Sequence, residues 1–326
     1  MVDKSKYVKH MGTCGAVFTL ILLVLISWSS FSVPALKVKI SPLRLTSIVQ
    51  EKPRVMLTMF TTFKNKHEKY QTYSNTLHNW ALFLPQIQPI LFTFETDDNL
   101  IKLAKTLGWL VFDVPRLSKT KVPFWKEMYF AAQNYGDSVF YGYFNGDILF
   151  DDGLLNTVLS IEEYINQLYK PLIIGKRTNV ELRGRDLWNK SDVTKAAQEG
   201  KLFMGGAEDY FILAHNKFIW DHVLDVIIGR PNYDNYLVAL ALKHKLSVID
   251  ATETILTLHQ TGKDGNFASR LNKDKRYNAG VIGNFDVTRR TTDDAPFCTK
   301  HGIQGESIEL WQRPMKEMVK LSKLKR

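Results

Sequence analysis

Apolar runs and helical periodicities alternate along the first half of the chain. Four runs rich in β-branched and aromatic residues predict strands over residues 54–60, 89–94, 109–114 and 138–144. Between them, apolar positions recur at helical spacing and predict helices over residues 68–82, 99–107 and 124–134. Strict alternation of strand and helix is typical of a doubly wound sheet whose strands are mostly parallel and flanked by helices. The predicted fold class is therefore α/β.

The second half of the chain follows the same pattern less regularly. Strands are predicted over residues 172–180, 202–213, 247–252 and 255–259, and helices over residues 188–200 and 235–244. Residues 262–302 are rich in Gly, Asn, Asp and Arg, which predicts irregular structure. Residues 306–326 are predicted to form a basic helical tail.

The N-terminal region contains an apolar segment without charges at residues 12–33. About 20 helical residues, at ~1.5 Å each, cross the core of a bilayer. We therefore expect a cytoplasmic tail at 1–11, a signal anchor at 12–33, a stem at 34–52, a globular domain at 53–300 and a tail at 301–326. A cleaved signal peptide ending near Pro34 is the alternative. A short anchor before a large domain predicts a single-pass type II membrane protein whose domain is lumenal.

Composition narrows the class of protein further. The 326 residues are 45% hydrophobic and 23% charged, with a net charge of +10, which fits a packed domain. The basic residues belong to no nucleic-acid-binding module, so no nucleic-acid partner is expected. Cys14 falls in the expected anchor, which leaves Cys298 without a partner for a disulfide in the globular part. A glycosylation sequon at Asn189 fits exposure in the lumen.

The most informative segment is the apolar strand predicted over residues 138–144, which stops at Asn145-Gly146-Asp147. Ligands of open α/β sheets bind beyond the carboxyl ends of the strands. A carboxylate on a tight turn at that edge suits a divalent cation that holds a phosphate. The same three residues are also a favoured structural turn. The long flanking apolar strands favour the metal site, and with it an enzyme that acts on a phosphorylated, activated substrate.

Five short stretches, spread over residues 54–290, resemble the GT-A class of nucleotide-sugar glycosyltransferases. Each is degenerate alone, but their order along the chain is fairly specific. They lie at residues 143–148, 175–177, 207–211, 229–235 and 248–260. The resemblance implies a GT-A fold with a Rossmann-like sheet, preceded here by the expected transmembrane helix.

The resemblance also implies a divalent cation, Mn²⁺ or Mg²⁺, bound by an Asp-x-Asp motif at a strand end. Asp147 matches the second acid, whereas Asn145 stands at the position of the first. Asn145 is then expected to reach the ribose or a metal-bound water. His259 is the second expected metal ligand, with a structural hydrogen-bonding role as the alternative. The remaining expected donor contacts are Thr61, Thr62 and Lys64 at the nucleotide, and Lys126 and Arg177 at the diphosphate; each is equally compatible with a surface role.

Two acids compete for the role of catalytic base. Asp234 opens the predicted helix near the sheet edge, where inverting GT-A enzymes place their base, but Asp is also a preferred helix N-cap. Glu208 and Asp209 fall in a predicted apolar strand, where acids are costly unless they are bonded or functional. Asp209 is therefore the second candidate, as acceptor contact or base.

Together these expectations describe a Golgi glycosyltransferase that moves a sugar from a nucleotide-diphosphate-sugar donor to a glycan or glycoprotein acceptor. Two alternatives stay open at this point. One is a catalytically silent protein of the same fold that binds a glycan or a partner. The other is a lumenal metal-dependent phosphoester hydrolase centred on Asp147.

Overall fold

A computed structural model describes residues 54–63, 67–94, 98–262, 272–286, 291–303, 305 and 307–314. The strands within them are β1 (Val55–Thr61), β2 (Ile87–Thr93), β3 (Leu110–Asp113), β4 (Ser138–Phe144), β5 (Ile148–Phe150), β6 (Leu172–Ile174), β7 (Thr178–Glu181), β8 (Lys201–Leu202), β9 (Tyr210–Ala214), β10 (Val248–Asp250), β11 (Thr257–Thr261), β12 (Phe297–His301) and β13 (Ile308–Gln312). The α-helices are α1 (Tyr70–Ala81), α2 (Asn99–Thr106), α3 (Trp125–Asn134), α4 (Gly153–Glu163), α5 (Lys190–Gln198), α6 (Tyr233–Lys243) and α7 (Tyr277–Ile282).

A nine-stranded mixed sheet forms the centre of the described part of the chain. Its strand order is β13-β12-β10-β6-β9-β4-β1-β2-β3. Strand β9 runs antiparallel to both of its neighbours, β4 and β6, and β13 runs antiparallel to β12. The remaining neighbours pair in parallel. The expected α/β class, with a mixed and mostly parallel sheet flanked by helices, is confirmed.

The two faces of this sheet bury separate hydrophobic clusters, as the period-2 alternation of strand side chains requires. Tyr141 and Tyr143 of β4 point to the cluster beneath α3 and α6. Phe140 and Phe144 of the same strand point to the cluster beneath α1, α2 and α4. The strands are thus apolar on both faces, which explains their nearly continuous hydrophobic runs.

The chain reverses its direction of travel across the sheet between β1 and β4. It leaves β1 for β2 and β3 by way of α1 and α2, which pack on one face. It then crosses by way of α3 on the other face and returns to pair β4 with the free side of β1. Two connections that diverge from neighbouring strands leave a crevice at the carboxyl ends of β1 and β4.

A second, four-stranded sheet in the order β5-β11-β7-β8 adjoins this crevice. Strand β5 follows β4 after the turn 145–147, and it pairs antiparallel with β11 so that Ile148 lies opposite His259. Helix α1 fixes β5 from its other side. The Asn79 side chain donates to the Phe150 carbonyl and accepts from the Phe150 amide, both at 2.9 Å, and Trp80 Nε1 donates to the Ile148 carbonyl at 2.9 Å.

Several predicted elements in the second half are wrong. The strand expected at 172–180 is two strands in different sheets, β6 and β7. They are separated at Gly175, where a Cβ would approach Tyr210 Oη to 2.2 Å. Residues 203–209 form no strand, so Glu208 and Asp209 lie in the segment that leads into β9.

The C-terminal part also differs from expectation. Residues 262–302, expected to be irregular, contain α7 and β12. Residues 308–312, expected to be helical, form β13, which pairs antiparallel with β12 along its whole length.

No helix among the described residues is long and apolar enough to cross a membrane. The expected anchor at 12–33 lies outside the described residues, as do the end of the expected tail, 315–326, and Lys64.

The amide contacts of Asn79 predict a large effect of its removal on stability. Asn79→Ala leaves a buried backbone N–H and a buried carbonyl of Phe150 without their partner, so the free energy of unfolding should fall by about 2–4 kcal/mol. Urea denaturation measures this, with Asn156→Ala on the exposed surface of α4 as the matched control. Equal unfolding midpoints for the two variants would contradict the assignment.

Candidate active site

A cavity of about 710 Å³ opens at the carboxyl ends of β1 and β4. Its lining brings together the turn after β4, strand β11, the segment before β9 and the start of α6. The acidic and imidazole side chains that line it are Asp147, Glu208, Asp209, Asp234 and His259. Another cavity of about 780 Å³ lies beside Leu242 and Phe285, but the side chains singled out from the sequence converge on the first one.

Asp147 and His259 are in direct contact at this cavity. Asp147 Oδ2 lies 3.4 Å from His259 Nε2, and His259 Nδ1 lies 3.3 Å from the Thr261 hydroxyl. The pairing follows from the fold, because β11 lies beside β5 and the Gln260 amide donates to the Asp147 carbonyl at 3.0 Å. Gly146 makes the turn possible, since a Cβ there would approach Phe63 Cδ1 to 2.9 Å.

The electrostatic surroundings keep Asp147 ionised. Burial acts to raise the pKa of this carboxyl, but the attraction and hydrogen bond of His259, followed by the charges of Arg177 and Lys69, bring the pKa below its ordinary value. Its Oδ1 atom is buried and has no hydrogen-bond partner among the described residues. A buried carboxylate oxygen without a partner is costly, so it indicates a ligand that completes the site.

These two side chains fit a divalent cation. A carboxylate oxygen and an imidazole nitrogen are acceptable ligands for Mn²⁺, and Mg²⁺ is commonly held by one or two carboxylates plus substrate phosphates. Within the described residues, no group of three or more His, Cys, Asp or Glu side chains is placed to hold a metal ion. A cation here would therefore need most of its ligands from a bound diphosphate and water.

Asn145 lines the cavity and is held in place by neighbouring side chains. Its Nδ2 donates to Asp209 Oδ1 at 2.5 Å, and its Oδ1 accepts from the hydroxyls of Tyr143 at 3.0 Å and Tyr233 at 3.3 Å. Its backbone amide also donates to the Asp209 carbonyl at 2.8 Å. These bonds give Asn145 a positioning role, and its expected contact with a ribose or a metal-bound water stays a prediction.

Arg177 and Asp209 form a buried ion pair next to Asn145. Arg177 Nη1 donates to both carboxylate oxygens of Asp209, at 2.8 and 2.7 Å, and both side chains are less than 10% exposed. The guanidinium also lies over the Phe203 ring, 4.8 Å from its centroid. Both oxygens of Asp209 are thus engaged by the protein, while Arg177 still lines the cavity.

Glu208 and Asp234 form a second acidic group, with a different character. Glu208 is almost fully buried, and its Oε1 accepts from the amide and the hydroxyl of Thr292 at 2.9 and 3.0 Å. Burial, and then repulsion from Asp234, raise the pKa of Glu208 well above its ordinary value. Burial likewise raises the pKa of Asp234 to about 6, with a further contribution from Asp209 and an opposing one from the Asn235 amide.

Asp234 is the second residue of α6 rather than its N-cap. Helix α6 begins at Tyr233, and Asn232 precedes it in a left-handed conformation without a side-chain capping bond. Asp234 Oδ1 accepts from the amide of its neighbour Asn235 at 2.9 Å. A capping role therefore does not account for this acid, which lines the cavity.

Of the other residues expected to contact the donor, some lie at the cavity and some do not. Thr62 lines the cavity, and Thr61 is buried beneath Gly146 at the end of β1. Lys126 lies elsewhere, because its ammonium donates to the carbonyls of Trp220 and Val223 at 3.2 and 3.3 Å. Lys64 is outside the described residues.

Sequence reasoning missed an aromatic pair at the mouth of the crevice. Phe63 and Tyr73 stack with ring centroids 4.2 Å apart and an angle of 9° between their planes, and both line the cavity. Tyr143 and Tyr233, which orient Asn145, were also missed. Both belong to stretches quoted for the resemblance, and for Tyr143 the hydroxyl inside a buried strand was the signal that pointed to a polar partner.

No protein-family model matches the chain, and no curated protein matches its sequence. Similar solved structures include the mannosyltransferase PcManGT from Pyrobaculum calidifontis in complex with GDP-Man and Mn²⁺, at 10% identity over 79% of this chain and 69% of that chain, with a TM-score of 0.40. Glucosyl-3-phosphoglycerate synthase from Mycobacterium tuberculosis, in complex with Mn²⁺, UDP and phosphoglyceric acid, is similar at 10% identity over 80% of this chain and 87% of that chain, with a TM-score of 0.41.

The S. aureus TarS 1–349 structure with UDP-GlcNAc matches at 16% identity over 40% of this chain and 37% of that chain, with a TM-score of 0.29. The match thus spans little more than a third of that structure. All three neighbours are transferases or were solved with nucleotide sugars or their products. Similarity at these identities and TM-scores carries no argument about this chain, whose chemistry must be inferred from its own residues.

The orphaned oxygen of Asp147 predicts metal binding that depends on a diphosphate. Mn²⁺ should bind weakly alone and more tightly with UDP or GDP present, and Asp147→Asn should weaken the ternary binding by ~10-fold or more. Loss of the free Mn²⁺ signal in electron paramagnetic resonance measures the affinity. Asp137→Asn, an exposed carboxylate before the other end of β4, is the matched control. Identical affinities in the two variants would remove Asp147 from the site.

Introducing an acid at position 145 should lower the stability of the protein rather than improve its metal site. Asn145→Asp replaces an amide donor by a carboxylate facing Asp209, so the free energy of unfolding should fall by about 1–3 kcal/mol and Mn²⁺ affinity should not rise. A new acid with a pKa raised in the folded state makes stability fall as pH rises, so the deficit should be larger at about pH 8 than at about pH 5.

Denaturation at both pH values measures the deficit, with the exposed Asn216→Asp as control. Tighter Mn²⁺ binding by Asn145→Asp would show that Asn145 faces the metal after all.

Proposed function

We propose that this chain is a divalent-cation-dependent glycosyltransferase of the GT-A type. It would move a sugar from a nucleotide-diphosphate-sugar donor to a hydroxyl of a glycan or glycoprotein acceptor. The observation that supports this most is the convergence of three side chains on one cavity at the point where the strand order reverses. These are Asp147, which has one carboxylate oxygen without a hydrogen-bond partner, His259 and Asp234.

The donor half of the site lies at the turn after β4. Asp147 and His259 would hold Mn²⁺ or Mg²⁺, which neutralises charge on the diphosphate as it leaves. Thr62, Phe63 and Lys69 also line this part of the cavity and are available to the nucleotide. Because the protein supplies few ligands, the cation and the donor are expected to bind together.

Asp234 is the better candidate for the catalytic base. Both oxygens of Asp209 are engaged by Arg177, so accepting a proton there would require breaking a buried ion pair. Asp234 has a pKa of about 6, which leaves it mostly ionised at neutral pH yet basic enough to accept a proton efficiently. Asp209 therefore shapes the site, and its expected role as base passes to Asp234.

The proposed step is a single displacement. The acceptor hydroxyl gives its proton to Asp234 while its oxygen forms a bond to the anomeric carbon of the sugar. The bond between that carbon and the phosphate oxygen breaks, and its electron pair leaves with the nucleoside diphosphate. A single displacement of this kind inverts the anomeric centre.

A Golgi membrane location is part of the same proposal. The uncharged apolar segment at residues 12–33 supports a type II anchor, and the sequon at Asn189 supports a lumenal domain. Asn189 is exposed at the start of α5, where a glycan has room.

The test is a screen of nucleotide sugars with Mn²⁺ that measures release of UDP or GDP from the full chain. Asp234→Asn should lower kcat/KM by about 10²–10⁴-fold without weakening nucleotide binding, because it removes only the base. The wild-type rate should fall as pH drops through about 6, since protonated Asp234 accepts no proton. The exposed Asp221→Asn is the matched control.

Three outcomes would overturn the proposal in different ways. Binding of a nucleotide sugar without turnover in the presence of varied acceptors would favour a silent binding protein. Release of free sugar or phosphate irrespective of acceptor would favour a hydrolase. Turnover unaffected by Asp234→Asn would return the role of base to another group.

A further inference from the structure

One wall of the cavity is bordered by a cluster of exposed basic side chains, here called the basic rim. It is formed by two segments, residues 117–123 between β3 and α3 and residues 272–276 before α7. Its members are Lys119, Lys121, Lys273, Lys275 and Arg276, all exposed. Among the described residues, none of the five is seen in an ion pair with an acid.

The two segments are fastened to each other by the only acid they contain, Asp274. The Thr120 hydroxyl donates to Asp274 Oδ2 at 2.5 Å, and Arg230 Nε donates to Asp274 Oδ1. Arg230 and Asp274 are 15% and 11% exposed, so the clip is mostly shielded from water. Burial acts to raise the pKa of Asp274, but the hydrogen bonds from Arg230 and Thr120 bring it below its ordinary value. Arg230 therefore neutralises the negative charge of Asp274.

Each segment also has hydrogen bonds of its own. In the first, the Ser118 amide donates to the Val122 carbonyl at 2.9 Å and the Val122 amide to the Ser118 hydroxyl at 3.1 Å. In the second, the Lys275 amide donates to the Asn272 carbonyl at 3.2 Å. The helix that follows, α7, is anchored by Asn278, whose side chain exchanges two hydrogen bonds of 2.9 Å with the backbone of Ile227.

The rim is continuous with the proposed active site. Thr120, Lys121, Arg230 and Asn272 line the same cavity as Asp147 and Asp234. Asp234 lies in the turn and helix that begin directly after Arg230, so the wall that carries the proposed base also carries the rim. Lys121 is the rim side chain that lines the cavity itself, so a ligand that brings a hydroxyl to Asp234 from this side passes Lys121 and lies next to the other four.

The charges decide which ligand fits. Several cations held around an opening, with their one acid already neutralised, attract anions and repel cations, and the field is strongest where a low-dielectric cavity focuses it. Lysine and arginine side chains bind sulfate, carboxylate and phosphate groups through charge-assisted hydrogen bonds. A neutral sugar chain would gain little from this arrangement and would leave the cations unused.

We propose that the basic rim binds the acceptor, and that the acceptor is an anionic glycan whose sulfate or carboxylate groups contact the rim while a hydroxyl reaches Asp234. This inference rests on the proposed function and names the acceptor class of the same site. It also gives a role to part of the net charge of +10, for which composition alone indicated no specific partner.

Binding of fluorescent sulfated and neutral oligosaccharides to the full chain tests the proposal without any turnover. A heparin octasaccharide should bind and a dextran of equal length should not, with affinity falling as salt rises, because exposed charges are screened beyond about 10 Å at 0.1 M ionic strength. Lys121→Gln/Lys275→Gln should weaken heparin binding by ~10-fold or more.

The matched control is Lys105→Gln/Lys195→Gln, which removes the same charge from the exposed surfaces of α2 and α5. Its heparin affinity should change less than ~2-fold, because those lysines are remote from the cavity. Equal losses of heparin affinity in the two double variants would mean that heparin binding depends only on the net charge of the protein, and the proposal would fail. Binding to vesicles containing phosphatidylserine, without binding to heparin, would assign the rim to a membrane surface.

Kinetics separate this proposal from the proposed function. If the enzyme turns over, the rim variant should raise KM for an anionic acceptor and leave KM for the donor unchanged. If no donor turns over but heparin still binds through the rim, the transferase proposal fails while the anion site stands. Efficient transfer to neutral acceptors, unaffected by the rim variant, would leave the transferase and overturn the acceptor class.

Discussion

The buried ion pair between Arg177 and Asp209 is the interaction on which the site depends. Arg177 lies between β6 and β7, where the chain passes from the main sheet to the smaller one, and Asp209 lies directly before β9. Their pairing therefore joins the two sheets at the crevice. Buried pairs of this kind contribute little net stability over an apolar alternative, but removing one partner is costly because the other charge stays buried. The pair is better understood as fixing geometry.

That geometry explains why an amide stands at position 145. With Asp209 already accepting from Arg177, its neighbour must donate to it, and a carboxylate cannot. The Asn145 amide donates to Asp209 with one end and accepts from two tyrosine hydroxyls with the other. Both ends of the amide are then engaged inside the protein. An amide suits this position better than a carboxylate because the residue faces an acid, and the turn it anchors presents Asp147 to the crevice.

The sequence predicted the parts of this arrangement that depend on local pattern. The alternation of strands and helices up to β4, the turn at 145–147 and the position of Asp147 at a sheet edge all follow from periodicity and turn chemistry. The contact of Asp147 with His259 joins residues far apart in the chain, and it was expected only from the resemblance. The network of Arg177, Asp209 and Asn145 could not be predicted, because a long-range pairing of polar groups leaves no periodic trace. Residues 203–209 were misread for a related reason: an apolar stretch next to Gly205 and Gly206 resembles a strand, while its backbone is instead fixed by contacts such as the Thr292 amide with the Gly205 carbonyl.

The acids that line the cavity lie in different electrostatic environments. Asp147 is kept ionised by an imidazole and two cations, which suits a metal ligand. For Glu208, burial and then repulsion from Asp234 raise the pKa well above its ordinary value, which favours the neutral form. Asp234 lies between these extremes and is able to take and return a proton near neutral pH. Environments that push carboxyl pKa values apart within one site are typical of acid–base catalysis. A cavity that merely bound a neutral ligand would gain nothing from that separation, and the cost of burying several acids would remain without a compensating role.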